Sequence, residues 1–374
     1  MRTLGIVGGG QLGQMMSQAA KKLDIATIVL DPGQFPPAKE YASEHIQSSF
    51  DSKVGIQELA QKSDVLTFEI ELAGNKALES LEKDGYPVHP SSETLARIKN
   101  KYEQKQFLKN HGIPLGEFSD ITQTDDLYSI AKMYGYPFVV KAKRDSYDGR
   151  GNYTVESEKD FRILLEKFKG RELYAEKFVP FEKELAVMVA RDSKGNIETY
   201  PTVETMHTRH ICDVVYAPAN VDANIAMNAQ NIAKKVINAF EGQGVFGVEM
   251  FYLPSGEILL NEVAPRVHNS GHYTIEACET SQFEQHVRAV MGMSLGSTHM
   301  LCRAAVMKNI LGSREGTTEA LGLEKAKRVE GVSVHMYDKR EVRIDRKMGH
   351  ITAIGNSAEE AYARAVEAHS YISL

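Results

Sequence analysis

The stretch that most restricts the fold is "TLGIVGGGQLGQMMSQAAKKLD", residues 3–24. An apolar run ends at Val7, three glycines follow, and a segment rich in helix formers comes next. The run reads as a buried strand, and Gly8-Gly9-Gly10 as a turn that residues with a Cβ make less easily. "ATIVLDP" (26–32) repeats the strand pattern, "SKVGIQELAQKS" (52–63) the helix and "SDVLTFEIE" (63–71) the strand. Strands alternating with helices need crossover connections, which predicts a parallel, doubly wound α/β sheet.

Gly8-Gly9-Gly10-Gln11-Leu12-Gly13 also fits G-x-G-x-x-G, and Asp31 ends the second strand about where a ribose-binding acid would sit. That pattern suits a dinucleotide, another phosphate at a helix N-terminus, or only a tight strand-to-helix turn. It is not a Walker A loop, because Gln14-Met15 stand where Lys-Ser/Thr is required. The glycines alone do not decide among these.

Past a mostly helical stretch near residues 86–114, the pattern changes. "YPFVVKAK", "GNYTVES", "ELYAEKFV" and "KELAVMVARD" are short strands at hairpin-like spacing, and "VFGVEMFYLPSGEILLNEVAP" is a strong hairpin. The tail "RVEGVSVHMYDKREVRIDRKMGHITAIGNS" reads as a small β-rich unit closed by a helix. With 374 residues and roughly 150 per domain, three units are expected: 1–100 (α/β), 101–295 (α+β, with a subdomain at about 115–180) and 296–374 (β-rich).

A net charge of −6 leaves no general basic field to attract nucleic acid. Cys212, Cys278 and Cys302 are dispersed, which speaks against a zinc knuckle, a redox dithiol or a disulfide framework. With no apolar run long enough for a membrane span and no signal-peptide pattern, a reducing, cytoplasmic location is expected.

The chemistry-bearing residues lie in the middle unit. Folding "VEMFYLPSGEILLNEVAP" about Ser255/Gly256 sets Phe251 opposite Leu260 and Glu249 opposite Glu262. Opposed side chains share a face about 5 Å apart, so the two carboxylates repel unless a cation or a proton lies between them. Hard oxygen donors suit Mg²⁺ held together with substrate phosphates. Strict alternation turns Asn261 to the other face. In "KAKRDSYDGRGN", Lys141 ends an apolar strand, and a glycine-containing loop follows. Such a loop either closes over phosphates or is a plain hairpin turn. In "YAEKFVPFEKE", the strand backbone suits an adenine edge and Glu184 a ribose, or the charges are simply solvated.

Together, "VVK", the glycine loop, "EK-x-V", "GVE" and "NEVAPR" resemble the ATP-grasp superfamily. More narrowly, "GGGQLGQMM", "VLDP", "TFEIE", "SYDGRGN", "NEVAPRVHNSGHYT" and "RKMGHIT" resemble its N5-carboxyaminoimidazole ribonucleotide synthase family over essentially the whole chain. The resemblance implies an ATP-grasp fold with a Rossmann-like domain before it and a small β-rich domain after it. It implies ATP and Mg²⁺ (or Mn²⁺) as cofactors, bicarbonate and 5-aminoimidazole ribonucleotide as substrates, and a homodimer.

It also implies residue roles. ATP would be held by Arg97, Lys141, the lid Ser146, Tyr147, Asp148, Gly149, Arg150, Gly151 and Asn152, the adenine frame Glu176, Lys177, Phe178 and Val179, and by Glu184, His207, Asn261 and Glu262. Glu249 and Glu262 would hold the metal, and Tyr147, Arg266 and Lys141 would serve the reacting groups. The ribonucleotide would meet Gly10, Gln11, Leu12, Glu71, His268, Asn269, Ser270, Lys339, Arg346 and Lys347, with Arg346 and Lys347 as a phosphate clamp. Bicarbonate would attack the γ-phosphate to give carboxyphosphate, and the amine would capture the CO2 released, a step of de novo purine biosynthesis.

The chain departs from the family pattern in two places. Arg150 and Asn152 replace Lys and Gln in the loop, and Ile344-Asp345 stand where Pro-Gly is common. The alternatives are a formate-dependent glycinamide ribonucleotide transformylase within the superfamily and an NAD-dependent oxidoreductase outside it.

Overall fold

The computed structural model describes residues 2–144 and 151–374. Strands Glu44–Ile46, Ala26–Leu30, Thr3–Val7 and Val65–Phe68 form, in that order, a four-stranded parallel sheet. Helices Gln11–Lys22 and Lys53–Gln61 make the crossovers, as the alternating pattern requires. Leu4 and Ile6 enter one apolar core; Val7, Leu30, Leu66 and Phe68 enter another.

Two further helices, Ser92–Lys99 and Lys101–Asn110, meet at Asn100. Its side-chain oxygen accepts from the backbone amides of Tyr102 and Glu103, so it starts a new helix at a new angle. Lys101 and Lys105 then lie one turn apart on the same face.

The region expected as a lid subdomain has its own antiparallel sheet, ordered Phe118–Ile121, Leu173–Lys177, Phe138–Ala142, Asn152–Val155. Its core includes Leu127, Phe138, Val140 and Leu164. The main sheet has nine strands. Ile258–Ala264, Gly244–Tyr252, Lys183–Arg191, Val203–Thr208, Ile211–Ala217, Ala304–Leu311, Lys347–Gly355 and Val332–Met336 follow in order, and Ile197–Thr199 pairs with Lys183–Arg191. Helix Ala223–Phe240 covers its hairpin end and Ala358–Ser370 its C-terminal end.

The C-terminal strands are continuous with the central sheet. Val214 to Ala217 pair with Lys308 to Ala305, which makes the third unit an extension of the central sheet. Hydrophobic pattern locates strands but not their partners across a long separation, so this continuity lay outside the sequence reading. Among the described residues, no helix is long and apolar enough to cross a membrane.

Candidate active site

The glycine turn is built as the pattern demands. Gly8 adopts φ 109°, where a Cβ would strike Glu69, and a Cβ on Gly13 would lie 2.6 Å from the Gly8 carbonyl oxygen. Its amides, however, serve the protein itself. Gly9 N–H donates to Asp31 Oδ2 at 2.9 Å, Gly10 N–H to Glu69, and Gly13 N–H to Glu69 Oε2 at 2.9 Å. Glu69 is buried, and burial raises its pKa despite these donors. The turn thus binds two resident carboxylates, and Gly10 with the next residues, Gln11 and Leu12, lines the helix start along a cavity.

That cavity, about 500 Å³, lies where the three units meet. Gly10, Gln11, Leu12, Asp31, Glu69 and Glu71 line one side; Lys99 and Lys101 another; Arg266, His268, Asn269, His272 and Lys347 the rest. Arg266 pairs with Glu71 at 3.1 Å, tying the end of the hairpin strand to the parallel sheet. Of the candidates for the ribonucleotide, Gly10, Gln11, Leu12, Glu71, His268, Asn269 and Lys347 are brought together here. Ser270 is buried behind the wall, 2.9 Å from His268 Nδ1, and Lys339 donates to the Lys347 carbonyl. Arg346 is not among the lining residues; its guanidinium donates to the Glu341 carbonyl at 2.8 Å. The expected two-residue clamp is split, with Lys347 at the cavity and Arg346 engaged elsewhere.

The second half of the site is the hairpin. Glu249 and Glu262 do face each other, but Phe251 meets Leu259 and Met250 meets Leu260, because the register shifts beyond Glu249. The extra residue is Asn261. A bulge sets two residues against one and redirects side chains. Asn261 and Glu262 are accordingly both half-buried in succession, where strict alternation would separate them. The expected Phe251–Leu260 pairing and the turning-away of Asn261 are corrected by this one inserted residue.

Cations surround the bulge. Lys101 Nζ lies 2.8 Å from Glu262, and Lys105 Nζ lies 3.1 Å from both Glu176 and the Asn261 carbonyl. Lys141 Nζ is 2.9 Å from Glu176, whose other oxygen accepts from Tyr174 at 2.9 Å. Burial opposes the Glu176 charge, but Lys105 and Lys141 prevail and hold its pKa down to about 2. Glu262, half-buried, is likewise held below the usual carboxylate range by Lys101.

Glu249 differs. Burial and then the Glu262 charge push it up to about 7, with His207 opposing. The His268 imidazole lies 3.5 Å away but is kept well below the ordinary histidine value, first by burial and then by Arg266, so it is neutral and supplies no counter-charge. A carboxylate pair with one member left uncompensated is a donor set that a divalent cation would complete. Among the described residues there is no group of three or more metal-binding side chains. The pair therefore fits an ion sharing its shell with substrate phosphates.

Glu184 pairs with His207 at 2.5 Å beside this group. Glu176 is a buried anchor for two lysines, while Lys177 is exposed and pairs with Glu117 at 2.5 Å. Phe178 is exposed, and Val179 packs near Gly116. Arg97 pairs with Glu93 and stacks 4.4 Å over Phe107. Gly151, whose carbonyl accepts from the Ala142 amide, precedes the strand that Asn152 opens, and Asn152 pairs with Lys141 in register. Ser146, Tyr147, Asp148, Gly149 and Arg150 lie outside the described residues.

Sequence reasoning passed over Glu69, Lys99, Lys101, Lys105 and His272. The i, i+4 lysines of "KYEQK" beside a helix-breaking Asn were the available signal for two of them.

Comparison with known proteins agrees with this layout. Residues 1–99 match the ribonucleotide synthetase preATP-grasp domain, 106–283 the ATP-grasp domain, and 305–364 the phosphoribosylaminoimidazole carboxylase C-terminal domain. The N5-carboxyaminoimidazole ribonucleotide synthase of Synechocystis sp. is 37% identical over 96% of this chain and 93% of its own. The phosphoribosylaminoimidazole carboxylase of Ogataea methanolica is 43% identical over 97% of this chain and 68% of its own. The chain spans about two thirds of the length of the fungal carboxylases it matches. The solved structure of the Aspergillus clavatus N5-carboxyaminoimidazole synthase, in complex with ADP and 5-aminoimidazole ribonucleotide, superposes with a TM-score of 0.91. It is 38% identical, covering 99% of this chain and 98% of that one. This chain belongs to the N5-carboxyaminoimidazole ribonucleotide synthase family, ATP-grasp ligases of purine biosynthesis.

Proposed function

We propose that the protein joins bicarbonate to the 5-amino group of 5-aminoimidazole ribonucleotide at the expense of ATP, giving N5-carboxyaminoimidazole ribonucleotide, ADP and phosphate. One observation carries this reading: His268 lies 3.5 Å from Glu249 and also lines the cavity under the glycine turn. The carboxylate pair and the cavity are thus two ends of one cleft, as transfer from a phosphorylated intermediate to an amine requires.

ATP would lie between the lid sheet and the hairpin, with Lys141 toward its phosphates and Glu184 and His207 toward its ribose. Glu249 and Glu262, with Asn261 redirected beside them, are the residues that would hold Mg²⁺ or Mn²⁺. When bound, that ion would neutralise charge on the transferring phosphoryl group.

A bicarbonate oxygen attacks the γ-phosphorus and ADP leaves. The carboxyphosphate formed breaks its C–O bond to give CO2 and phosphate. The amine nitrogen adds to CO2 and loses its proton to the released phosphate. Lys141 and Arg266 offset developing negative charge, and Tyr147 with Arg266 orients the bicarbonate-derived group. No covalent enzyme intermediate is needed. Lys347 and the helix start at Gln11-Leu12 receive the ribonucleotide phosphate. A homodimer is the proposed assembly.

The test is ADP release with Mg²⁺, measured with and without bicarbonate and aminoimidazole ribonucleotide. Release dependent on both supports the reading. Release stimulated instead by glycinamide ribonucleotide and formate would replace it with the transformylase reaction. NADH binding without ATP binding would remove it.

A further inference from the structure

One buried donor on the cavity wall has no role in the scheme above. His272 follows the short turn Asn269–Gly271, is fully buried, and is one of the cavity-lining residues. Its Nδ1 lies 3.1 Å from Gln282 Nε2. Gln282 Oε1 accepts from the His268 amide at 2.9 Å, and its Nε2 donates to the His268 carbonyl at 2.7 Å. The amide orientation of Gln282 is fixed by that reciprocal pair, so its remaining N–H points at His272 Nδ1. Nδ1 must then be an acceptor, and the ring proton of the neutral imidazole sits on Nε2. Burial, then the Lys347 and His335 charges, hold His272 well below the usual histidine value, which keeps it neutral.

Nε2 is buried and has no hydrogen-bond partner among the described residues. A buried N–H of this kind calls for an acceptor from outside the chain. Its surroundings are aromatic: Phe283 at 5.5 Å, Tyr337 edge-on at 6.4 Å and His350 at 4.9 Å between ring centroids. A neutral donor in such a shell suits an uncharged acceptor, because anions in the same cavity have Lys347 and Arg266. In a phosphorylated aminoimidazole riboside, the uncharged sp² acceptor is the ring nitrogen that does not bear the ribose.

We propose that His272 is a specificity-determining residue, donating its Nε2–H to that ring nitrogen of the aminoimidazole. The assignment rests on the function proposed above and adds the element that would separate an imidazole amine from an amine without a ring acceptor. A site that hydrogen-bonds a substrate atom discriminates against analogues lacking it, since its own polar group is then left unpaired.

The experiment compares 5-aminoimidazole ribonucleotide with the 5-aminopyrrole ribonucleotide in which that nitrogen is C–H. In the wild-type protein, kcat/KM for the pyrrole should be lower by roughly 10- to 100-fold, the cost of one unmade buried hydrogen bond. In His272→Phe, the imidazole substrate should lose a similar factor, the KM for ATP should stay the same, and discrimination between the two ribonucleotides should collapse toward one. The wild-type ¹⁵N-imidazole spectrum gives an independent readout: an Nε2–H tautomer for His272 whose shift moves with the imidazole substrate and not with the pyrrole.

Equal use of both ribonucleotides by the wild type overturns the proposal, as does undiminished discrimination in His272→Phe. Sensitivity confined to a 2′-deoxy analogue would assign the N–H to a ribose hydroxyl and overturn it too. Should His272→Phe not fold, the wild-type comparison and the spectrum still decide. Should ADP release ignore the ribonucleotide altogether, the carboxylation scheme fails, while the spectral titration still reports on His272 itself.

Discussion

The glycine turn after Val7 and the bulged hairpin around Glu249 and Glu262 carry the two conspicuous motifs of this chain, and they are electrostatic opposites. In the turn, backbone donors that suit a phosphate are occupied by Asp31 and Glu69. In the hairpin, two acids are brought face to face and only Glu262 has a lysine at 2.8 Å. A motif that satisfies itself defines a shape, whereas one left unsatisfied marks where a ligand must complete it. The glycine fingerprint is therefore the weaker guide to chemistry here, although it is the easier pattern to read.

The largest effect should come from breaking the unsatisfied half. Glu262→Gln removes one of the two carboxylates proposed to hold the metal and leaves Lys101 without its partner. ATP turnover should fall on the order of a hundredfold or more, the scale of losing one electrostatic contact to the transferring group. The circular dichroism spectrum should be unchanged. Near-normal turnover would remove the metal role and with it the contrast between the two motifs.

Next comes the anchor between them. Glu176 is ionised between Lys105 and Lys141, both mostly buried. Glu176→Gln keeps the shape but leaves two buried ammonium groups without a counter-charge. Removing one partner of a buried charge pair costs about 3–5 kcal/mol. Urea unfolding should show a loss on that scale. A loss under about 1 kcal/mol would mean that the lysines are neutralised by other groups and that the lid is not fastened at this point.

The same contrast explains what could be read from the sequence. Local features were legible: the parallel alternation, the glycine turn and the Glu249–Glu262 pairing follow from periodicity and turn position. The bulge was not, because one extra residue leaves the hydrophobic pattern of "EILLNEVAP" almost unchanged while shifting the pairing between Leu260 and Glu262. Nor was the capture of the glycine amides by Glu69, because nothing local to "TFEIE" shows that its first acid turns back across the sheet to Gly10 and Gly13. The continuity of the third unit with the central sheet depends on Val214–Lys308 pairing across more than ninety residues, beyond any local signal. The split of Arg346 from Lys347 has a simpler cause. Lys347 opens a strand and Arg346 lies outside it, with its guanidinium held by the Glu341 carbonyl.

The self-satisfied half can be tested directly. Glu69→Gln retains one acceptor oxygen but loses the charge that serves Gly10 and Gly13. Hydrogen bonds to a charged group contribute about 1.5–3 kcal/mol, partly offset here because a buried carboxylate is itself costly. A net destabilisation of about 1–2 kcal/mol is expected, with a raised KM for the ribonucleotide and an unchanged KM for ATP. If the ATP KM moves instead, the turn is a nucleotide site after all and the two motifs exchange roles.

The smallest effect is a pH dependence that reads the strain in the hairpin itself. Glu249 has a folded-state pKa near 7, against about 4.5 for the unfolded chain. Between those values the folded state binds the extra proton, so this group's contribution to stability falls as pH rises from about 4.5 to about 7, then levels off. Glu249→Gln lacks the titration. The melting temperature of the variant should therefore gain on that of the wild type by a few degrees, roughly 1–3 °C, between pH 5 and pH 8. Mg²⁺ with ATP should reverse the sign at pH 8, because the ion favours the ionised pair and only the wild type offers both carboxylates. Parallel melting curves across that range would show that Glu249 is already compensated within the protein, and the hairpin would then lose its standing as the unsatisfied half.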